Sequence, residues 1–467
     1  MMTPFKERAV HALNDKNLRV ALDLATSQLQ VGRTKAFSSL QDAELTRDMA
    51  RNAKLKILDD LGDNLLKFEK RLQENGVHVH WAAAGEHANA KVVEIAKRRR
   101  VKKVVKSKSM LSEEINLNAS LMSAGIDVVE TDLGEYIVQL AEDRPSHIIV
   151  PIIHMTREDV GKVMHERLDV PFSDDPEELA KIARRKLRQD FLEADMGVTG
   201  ANFGVVETGA ICLVTNEGNG RMVTSLPKIH VVLMGIEKLL YTLADLDLFL
   251  KLLARSATGQ KLTVYTTLIQ GPRRGEEGGP EEVHVILVDN GRSELLGGDL
   301  AESLACIRCG ACLNVCPIYK NIGGHAYGDT YAGPIGSIIT PSLRGLADWS
   351  ELPAASTLCG ACRDVCPLRI DIPRMLLKLR QTAAEKLTVP IGIKLAMKGF
   401  GAMAAWPGLY RSVAGMGRWF LRRLDDNGWV KYRFLPIRNW TKVRDLKTPA
   451  KKSFQQMWQE KEKKRGA

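Results

Sequence analysis

Seven of the eight cysteines in this 467-residue chain fall between positions 306 and 366, and their spacing restricts the fold more than any other feature. The first run is Cys306-x2-Cys309-x2-Cys312-x3-Cys316-Pro317. The second is Cys359-x2-Cys362-x3-Cys366-Pro367, with Ser356 where its first cysteine would stand. Disulfide frameworks serve small secreted domains, and a chain of this size without a recognisable export signal has little use for one. Structural zinc favours four-ligand sites built from separated Cys-x2-Cys pairs, which these extended runs fit poorly. The first run is instead that of bacterial ferredoxins: three thiolates on one tight turn cap a [4Fe–4S] cube, and the fourth reaches a second cube. Proline after the last cysteine fixes φ and stops the turn from continuing.

The crossed pattern predicts two ligand sets. Cys306, Cys309, Cys312 and Cys366 make the first; Cys316, Cys359 and Cys362 make the second, one thiolate short. The second centre is then either a [4Fe–4S] cluster with a non-cysteine fourth ligand, for which Ser356 offers an oxygen, or a [3Fe–4S] cluster. Two clusters in one small domain imply one-electron transfer. Lewis-acid chemistry at the site-differentiated centre is the lesser alternative.

The rest of the chain reads as an ordinary soluble protein of two or three domains, 45% hydrophobic and 26% charged. No run reaches the roughly 18 apolar residues of a membrane span, and the N-terminus lacks the apolar core of a secretory signal, so a cytoplasmic location is expected. Residues 1–75 read as helical, with Leu58, Leu61, Leu65 and Phe68 at helical spacing. Short β-branched runs follow at 77–81, 103–105, 126–129, 148–153, 211–215, 229–234 and 283–288. Helical stretches at 90–98, 112–124, 176–194 and 239–254 alternate with them, which predicts an α/β domain with a largely parallel, covered sheet. The acid- and glycine-rich 271–282 reads as a surface loop. These signals divide the chain into a helical segment 1–75, an α/β domain 76–297, a dicluster domain 298–386 and a basic C-terminal region 387–467.

That last region holds Trp406, Trp419, Trp429, Trp440 and Trp458, and it carries the charge. Of a net +11, residues 431–467 supply +9 and 391–430 supply +4, leaving the remainder about −2. Lys and Arg with interleaved Trp suit peripheral contact with an anionic membrane surface or an acidic redox partner; a solvated tail is the plainer reading. No nucleic-acid module accompanies the charge, so no nucleic-acid partner is expected. The chain has neither a GxGxxG fingerprint nor a phosphate-binding GxxxxGK[ST] loop, so electrons are expected from another polypeptide.

The run ETGAICLVTNEGNGR at 207–221, followed by LPKIH at 226–230, resembles the signature of the lactate-utilisation (LUD) domain. With the two cysteine runs and the basic Trp-containing end, the whole chain is similar to the lactate utilisation protein B family, whose cysteine pattern also lacks the eighth ligand. The resemblance implies a LUD domain of the NagB/RpiA/CoA-transferase-like α/β type, then an α-helical ferredoxin-type domain with two clusters. It further implies an iron–sulfur electron-transfer role in a three-protein system oxidising L-lactate to pyruvate. The implied partners are a cysteine-rich iron–sulfur oxidoreductase subunit and a smaller LUD-domain protein. The alternative is a self-contained enzyme acting on a small organic acid or thioester through the α/β domain, with the clusters accessory.

Glu207, Asn216, Glu217 and Arg221 flank one predicted strand and are candidates for a pocket holding a small anionic acid, Arg221 pairing its carboxylate. Loop capping explains them nearly as well. Cys212 reads as a buried small hydrophobe. His147 and His154 bracket the predicted strand 148–153, where α/β proteins often place site residues, and His230 opens another; structural roles are favoured for all three. The segment 323–328 between the cysteine runs reads as a connecting loop.

Overall fold

The computed structural model describes residues 4–275, 278–387, 391–430 and 445–465. They form two compact units, Met1–Lys386 and Leu387–Ala467. Pro390 and the whole of the basic stretch 431–444, Trp440 included, lie outside the described residues.

Among the described residues the first unit has ten strands: β1 (His78–Ala82), β2 (Lys103–Lys106), β3 (Asp127–Glu130), β4 (Met196–Gly200), β5 (Phe203–Val205), β6 (Ala210–Thr215), β7 (Ile229–Gly235), β8 (Leu239–Leu240), β9 (Tyr265–Ile269) and β10 (Glu282–Val288). Six of them make a sheet in the order β1-β10-β7-β4-β2-β3, every pairing parallel. Such a sheet must be covered on both faces, and the alternation along β7 shows how. Val231 and Leu233 join Val92, Ile95, Leu117 and Leu121 on one side, while Val232 and Met234 join Phe68, Phe203 and Phe249 on the other. This is the predicted α/β domain with a parallel sheet.

Several elements depart from the sequence reading. The run 148–153 is not a strand but a series of turns. His147 Nδ1 accepts hydrogen bonds from the amides of Ile149 and Val150 at 3.0 and 3.1 Å, and Pro151 has no amide to offer a ladder. The run 211–215 is a strand, but as β6 it pairs antiparallel with β5 and β9 in a separate four-stranded sheet. The predicted helix 112–124 is two, Met110–Glu114 and Leu117–Ser123, divided at Asn116 with φ +53°. The predicted helix 239–254 begins instead with β8 and becomes helical over Leu243–Ala257.

Strand β4 was missed because Gly197 and Gly200 give it weak strand propensity. Gly197 is there for a packing reason: a Cβ would stand 2.1 Å from the carbonyl oxygen of Val223, so only glycine admits the helix Asn219–Ser225 so close to the sheet. From β2 the chain moves outward to β3, then returns to place β4 on the other side of β2. The carboxyl ends of β2 and β4 thus flank the point where the winding reverses, where open α/β sheets form a crevice.

The N-terminal residues are helical as expected, over Phe5–Asn14, Lys16–Phe37, Ala43–Asp59 and Leu61–Glu74. Asp15 and Asp42 accept hydrogen bonds from the amides of Leu18 and Leu45 and so start two of them. Their basic side chains clamp the cysteine segment: Arg33 donates to the carbonyl of Val365, Arg47 to that of Cys366 and Arg51 to that of Leu368.

In the second unit, helices Ile391–Ala405 and Pro407–Arg423 leave Leu395, Phe400, Trp406, Trp419 and Phe420 exposed. A two-residue hairpin, β11 (Asp425–Asp426) with β12 (Trp429–Val430), follows, and Phe454–Arg465 is helical. Among the described residues no helix is long and apolar enough to cross a membrane.

Candidate metal centre and adjoining cavity

The two cysteine runs fold as the same loop, repeated fifty residues apart. Arg308 and Gly310 take φ of +59° and +73°; Leu358 and Gly360 take +54° and +86°. In the first loop the amide of Arg308 donates to Cys306 Sγ at 3.4 Å. In the second the amide of Leu358 donates to Ser356 Oγ at 3.1 Å. Ser356 therefore occupies the backbone position of Cys306, with an oxygen in place of the sulfur.

Folding the loops together sorts the thiols into two neighbourhoods. Cys312 lies within electrostatic reach of Cys306, Cys309 and Cys366, and these four line one cavity with Ile148, Ile307, Ile335 and Ile372. Cys316 neighbours Cys359, and Cys362 neighbours both. Cys362 also lies within reach of Cys312.

Backbone amides aim at the sulfurs. Ala311 donates to Cys309, Ile318 and Tyr319 to Cys316, Ala361 to Cys359, Arg363 to Cys362, and Leu368 and Ile370 to Cys366. Burial and the neighbouring sulfurs push the thiols of Cys309 and Cys362 up to about 12, the opposite of the shift that coordination to a metal gives a thiol. Cys359 is exposed, and the Thr357 hydroxyl and Ala361 amide lower its thiol.

These residues fit iron–sulfur clusters better than zinc. One tetrahedral zinc with Zn–S near 2.3 Å would hold its sulfurs about 3.8 Å apart. Among the described residues, the groups of three ligand atoms closing within 4.8 Å of one another are Asp143/His154/His325 and Glu113/Glu130/Glu135, and neither contains a cysteine. The wider spacing, the apolar cavity and the converging amides suit a cluster's bridging sulfides and spread charge.

Cations surround the first neighbourhood. Arg33 faces Cys309 and Cys366, and Lys54, Lys238 and Arg308 lie near Cys306. Lys54 is fully enclosed, its ammonium donating to the carbonyls of Glu237 and Leu239. Burial, followed by the charge of Lys238, pushes it down to about 7.

A second cavity, of about 360 Å³, opens at the carboxyl ends of β2, β4 and β7, lined there by Ser107 and Lys108, Gly200 and Asn202, and Gly235 and Lys238. It shares Ile148, Ile307 and Arg308 with the cysteine cavity, so the two spaces have a common wall. Of the four candidate pocket residues, Asn216 and Glu217 line this cavity and Glu207 and Arg221 do not. Glu207 accepts a hydrogen bond from the amide of Leu243 at 3.2 Å, at the start of the helix Leu243–Ala257. Arg221 lies with its guanidinium 5.4 Å from the Tyr265 ring centre. A neutral loop role, capping or stacking, accounts for both.

Sequence reasoning missed Ser107, Asn219, Lys238 and Arg308. Only position relative to the strand ends could have raised them, and β4, which fixes the crevice, had not been recognised. His147 is buried, with Nε2 3.1 Å from Asn314 Oδ1. His230 is buried in β7 with Nε2 2.9 Å from Thr199 Oγ1; burial pushes it down to about 4. His154 pairs with Asp143 at 3.0 Å and packs on His325 from the 323–328 segment. Cys212 is fully buried.

The fold and the doubled loop define a class: a parallel α/β domain continuous with a cysteine domain of the dicluster iron–sulfur type. Family models match along the chain as the LUD domain over residues 65–288, the 4Fe-4S dicluster domain over 302–370 and the lactate utilisation protein B C-terminal region over 382–463. "Lactate utilization protein B" of Bacillus pumilus is 44% identical over 462 residues, 98% of each chain. That of Bacillus licheniformis is 42% identical over 99% of this chain and 98% of its own. An "uncharacterized electron transport protein" of Escherichia coli is 43% identical over the same shares. The chain belongs to the lactate utilisation protein B family.

Proposed function

We propose that this protein passes single electrons between redox partners in a multi-protein system that oxidises L-lactate to pyruvate. The observation that carries the reading is the grouping of seven cysteines into a set of four, three of them buried and Cys306 part-exposed, and a neighbouring set of three that ends at exposed Cys359. The names of the relatives, lactate utilisation in Bacillus and electron transport in Escherichia coli, support it. Cys306, Cys309, Cys312 and Cys366 hold one cluster. Cys316, Cys359 and Cys362 hold the other, as a [4Fe–4S] cluster completed by a non-cysteine ligand or as a [3Fe–4S] cluster. Bound clusters supply one-electron chemistry, which suits taking the two electrons of each lactate singly.

The protein's own contribution is positional. Amides steady the sulfurs, Arg33, Lys54, Lys238 and Arg308 offset negative charge at the set of four, and Cys359 brings the other group to the surface. The partners are a cysteine-rich iron–sulfur oxidoreductase subunit and a smaller LUD-domain protein. The acid-free, apolar stretch 391–424 serves docking, on a partner or peripherally on an anionic membrane surface.

Low-temperature EPR on anaerobic protein, alone and with its partners, tests the reading. Reduction by L-lactate only when partners are present is expected. Reduction by dithionite but never by lactate removes the substrate assignment. A second reading, in which the α/β domain itself acts on a small organic acid or thioester, is favoured by the cavity at the strand ends. It would draw on Asn216 and Glu217 rather than Glu207 and Arg221.

A further inference from the structure

We propose that the cavity at the carboxyl ends of β2, β4 and β7 is a binding site for the carboxylate of a small organic acid, held by Lys238, Arg308 and Ser107 against the wall it shares with the first cysteine group. The inference rests on the assignment of a cluster to that group and goes beyond it by giving the α/β domain a ligand.

Two buried donors on residues that line this space have no acceptor, and a third, part-exposed cation, Lys238, stands beside them. Ser107 Oγ and Arg308 Nη1 are buried and have no hydrogen-bond partner. The nearest carboxylate oxygen to Lys238 Nζ, on Glu237, is 4.0 Å away, beyond hydrogen-bond reach. Buried donors left in this way cost about 1–3 kcal/mol each unless something accepts from them. The acids nearby are shared among several cations: Glu237 Oε1 lies 3.8 Å from Arg308 Nη2, and Glu237 Oε2 is buried without a hydrogen bond. Glu237 Oε2 lies 2.9 Å from Arg292 Nε, and Glu114 pairs with Arg292 at 2.6 Å while accepting from the Tyr331 hydroxyl. A carboxylate supplies two acceptor oxygens and one further negative charge, at an end where the three cations Lys238, Arg292 and Arg308 face the two carboxylates of Glu114 and Glu237.

The opposite side has the reverse character. The electrostatic neighbours of Glu217 are Asp132 and Lys108, whereas those of Lys238 are Glu237, Arg308, Cys306 and Arg292. An anion is therefore oriented with its charged end toward Lys238 and Arg308 and its remainder toward Asn219, whose Oδ1 is buried without a partner and can accept from a hydroxyl. The carboxylate end then lies at the wall formed by Ile148, Ile307 and Arg308, on whose other side stand the four thiols.

The test uses the full-length protein, reconstituted anaerobically, with calorimetric titration of L-lactate, pyruvate and the uncharged lactamide, alongside iron content and EPR of the dithionite-reduced protein. Saturable binding of at least one acid, none of lactamide, and a changed line shape of the first cluster on binding are expected. Lys238→Met should weaken binding by about tenfold or more, the loss of one charge-assisted hydrogen bond, with binding expressed per cluster-loaded protein. Ser107→Ala, a smaller change that the fold tolerates more readily, should weaken it several-fold. Cluster-loaded protein that binds neither acid at millimolar concentration, binds lactamide equally, or is indifferent to both substitutions overturns the site. Failure to load clusters overturns the relay reading instead, and the calorimetry still reads the cavity.

Discussion

The loops at 306–316 and 356–366 share a backbone, a glycine in the left-handed region and a terminal Cys-Pro, yet they sit in different surroundings. The first is packed inside the unit: a Cβ on Gly310 would meet His147 Cε1 and Ile149 Cγ1 at 3.2 Å, whereas one on Gly360 meets nothing within 4 Å. Cys309 and Cys312 are buried and Cys359 is exposed. The first loop thus supplies three of the four thiols of a sheltered site against the α/β domain, and its repeat supplies Cys359 and Cys362 to a site that reaches the surface at Cys359. A duplicated motif supplies equal ligand geometry; the packing around each copy decides what can reach it.

Substitution of the thiols should break this contrast most strongly. Cys312→Ser should cost about half of the bound iron and lower the melting temperature sharply, because the metal joins elements that also form the core and its binding contributes to folding. Cys359→Ser should empty only the second site and move the melting temperature less. Iron analysis confirms that each variant empties one site, and equal falls in melting temperature would erase the distinction between the loops.

The glycines give a finer comparison. Gly310→Ala and Gly360→Ala both place a side chain at positive φ, at about 1–2 kcal/mol. Gly310→Ala should cost about 1 kcal/mol more, because it also crowds His147 and Ile149. Denaturant midpoints with a shared slope measure the difference.

His147 supplies a pH signature for the sheltered loop. Burial, with the charge of Lys108 behind it, pushes the imidazole down to about 3, and Tyr319 packs edge-on against it. Its folded-state value lies below the unfolded one, so its contribution is intact above about pH 6.5 and falls by up to about 1.4 kcal/mol per pH unit as the medium is acidified toward pH 3. His147→Gln should show a shallower acid slope between pH 7.5 and 5 than the parent protein. An identical slope would mean that the ring is not held neutral by this packing.

Ser356→Cys should have the smallest effect on stability, within about 0.5 kcal/mol, because the loop already has the backbone of its twin. Its effect is spectroscopic: a [3Fe–4S] parent centre should lose its three-iron EPR signal with iron content rising, and a [4Fe–4S] centre with an oxygen ligand should shift its reduced EPR signal at constant iron. An unchanged spectrum and iron content would leave position 356 without a part in the second centre.

The sequence by itself determined what is local. Cysteine spacing, the proline stops and the Ser356 gap specify two loops and their ligand chemistry because each is a run of fewer than a dozen residues whose conformation neighbours in the chain dictate. The β-branched runs of β1, β2, β3, β7 and β10 announced a buried parallel sheet for the same reason. The tertiary structure decided everything that depends on residues distant in the chain. Residues 148–153 look like a strand until His147 captures their amides. Residues 196–200 look too glycine-rich for one until the helix Asn219–Ser225 must pack closely against Gly197. Glu207 and Arg221 stand in a suggestive signature and do not line the cavity, while Ser107, Lys238 and Arg308, from three separate segments, do. A site assembled across 200 residues of chain leaves no periodic mark in the sequence, because what selects its members is the crossing of the sheet between β2 and β4 and the docking of the cysteine loop against it.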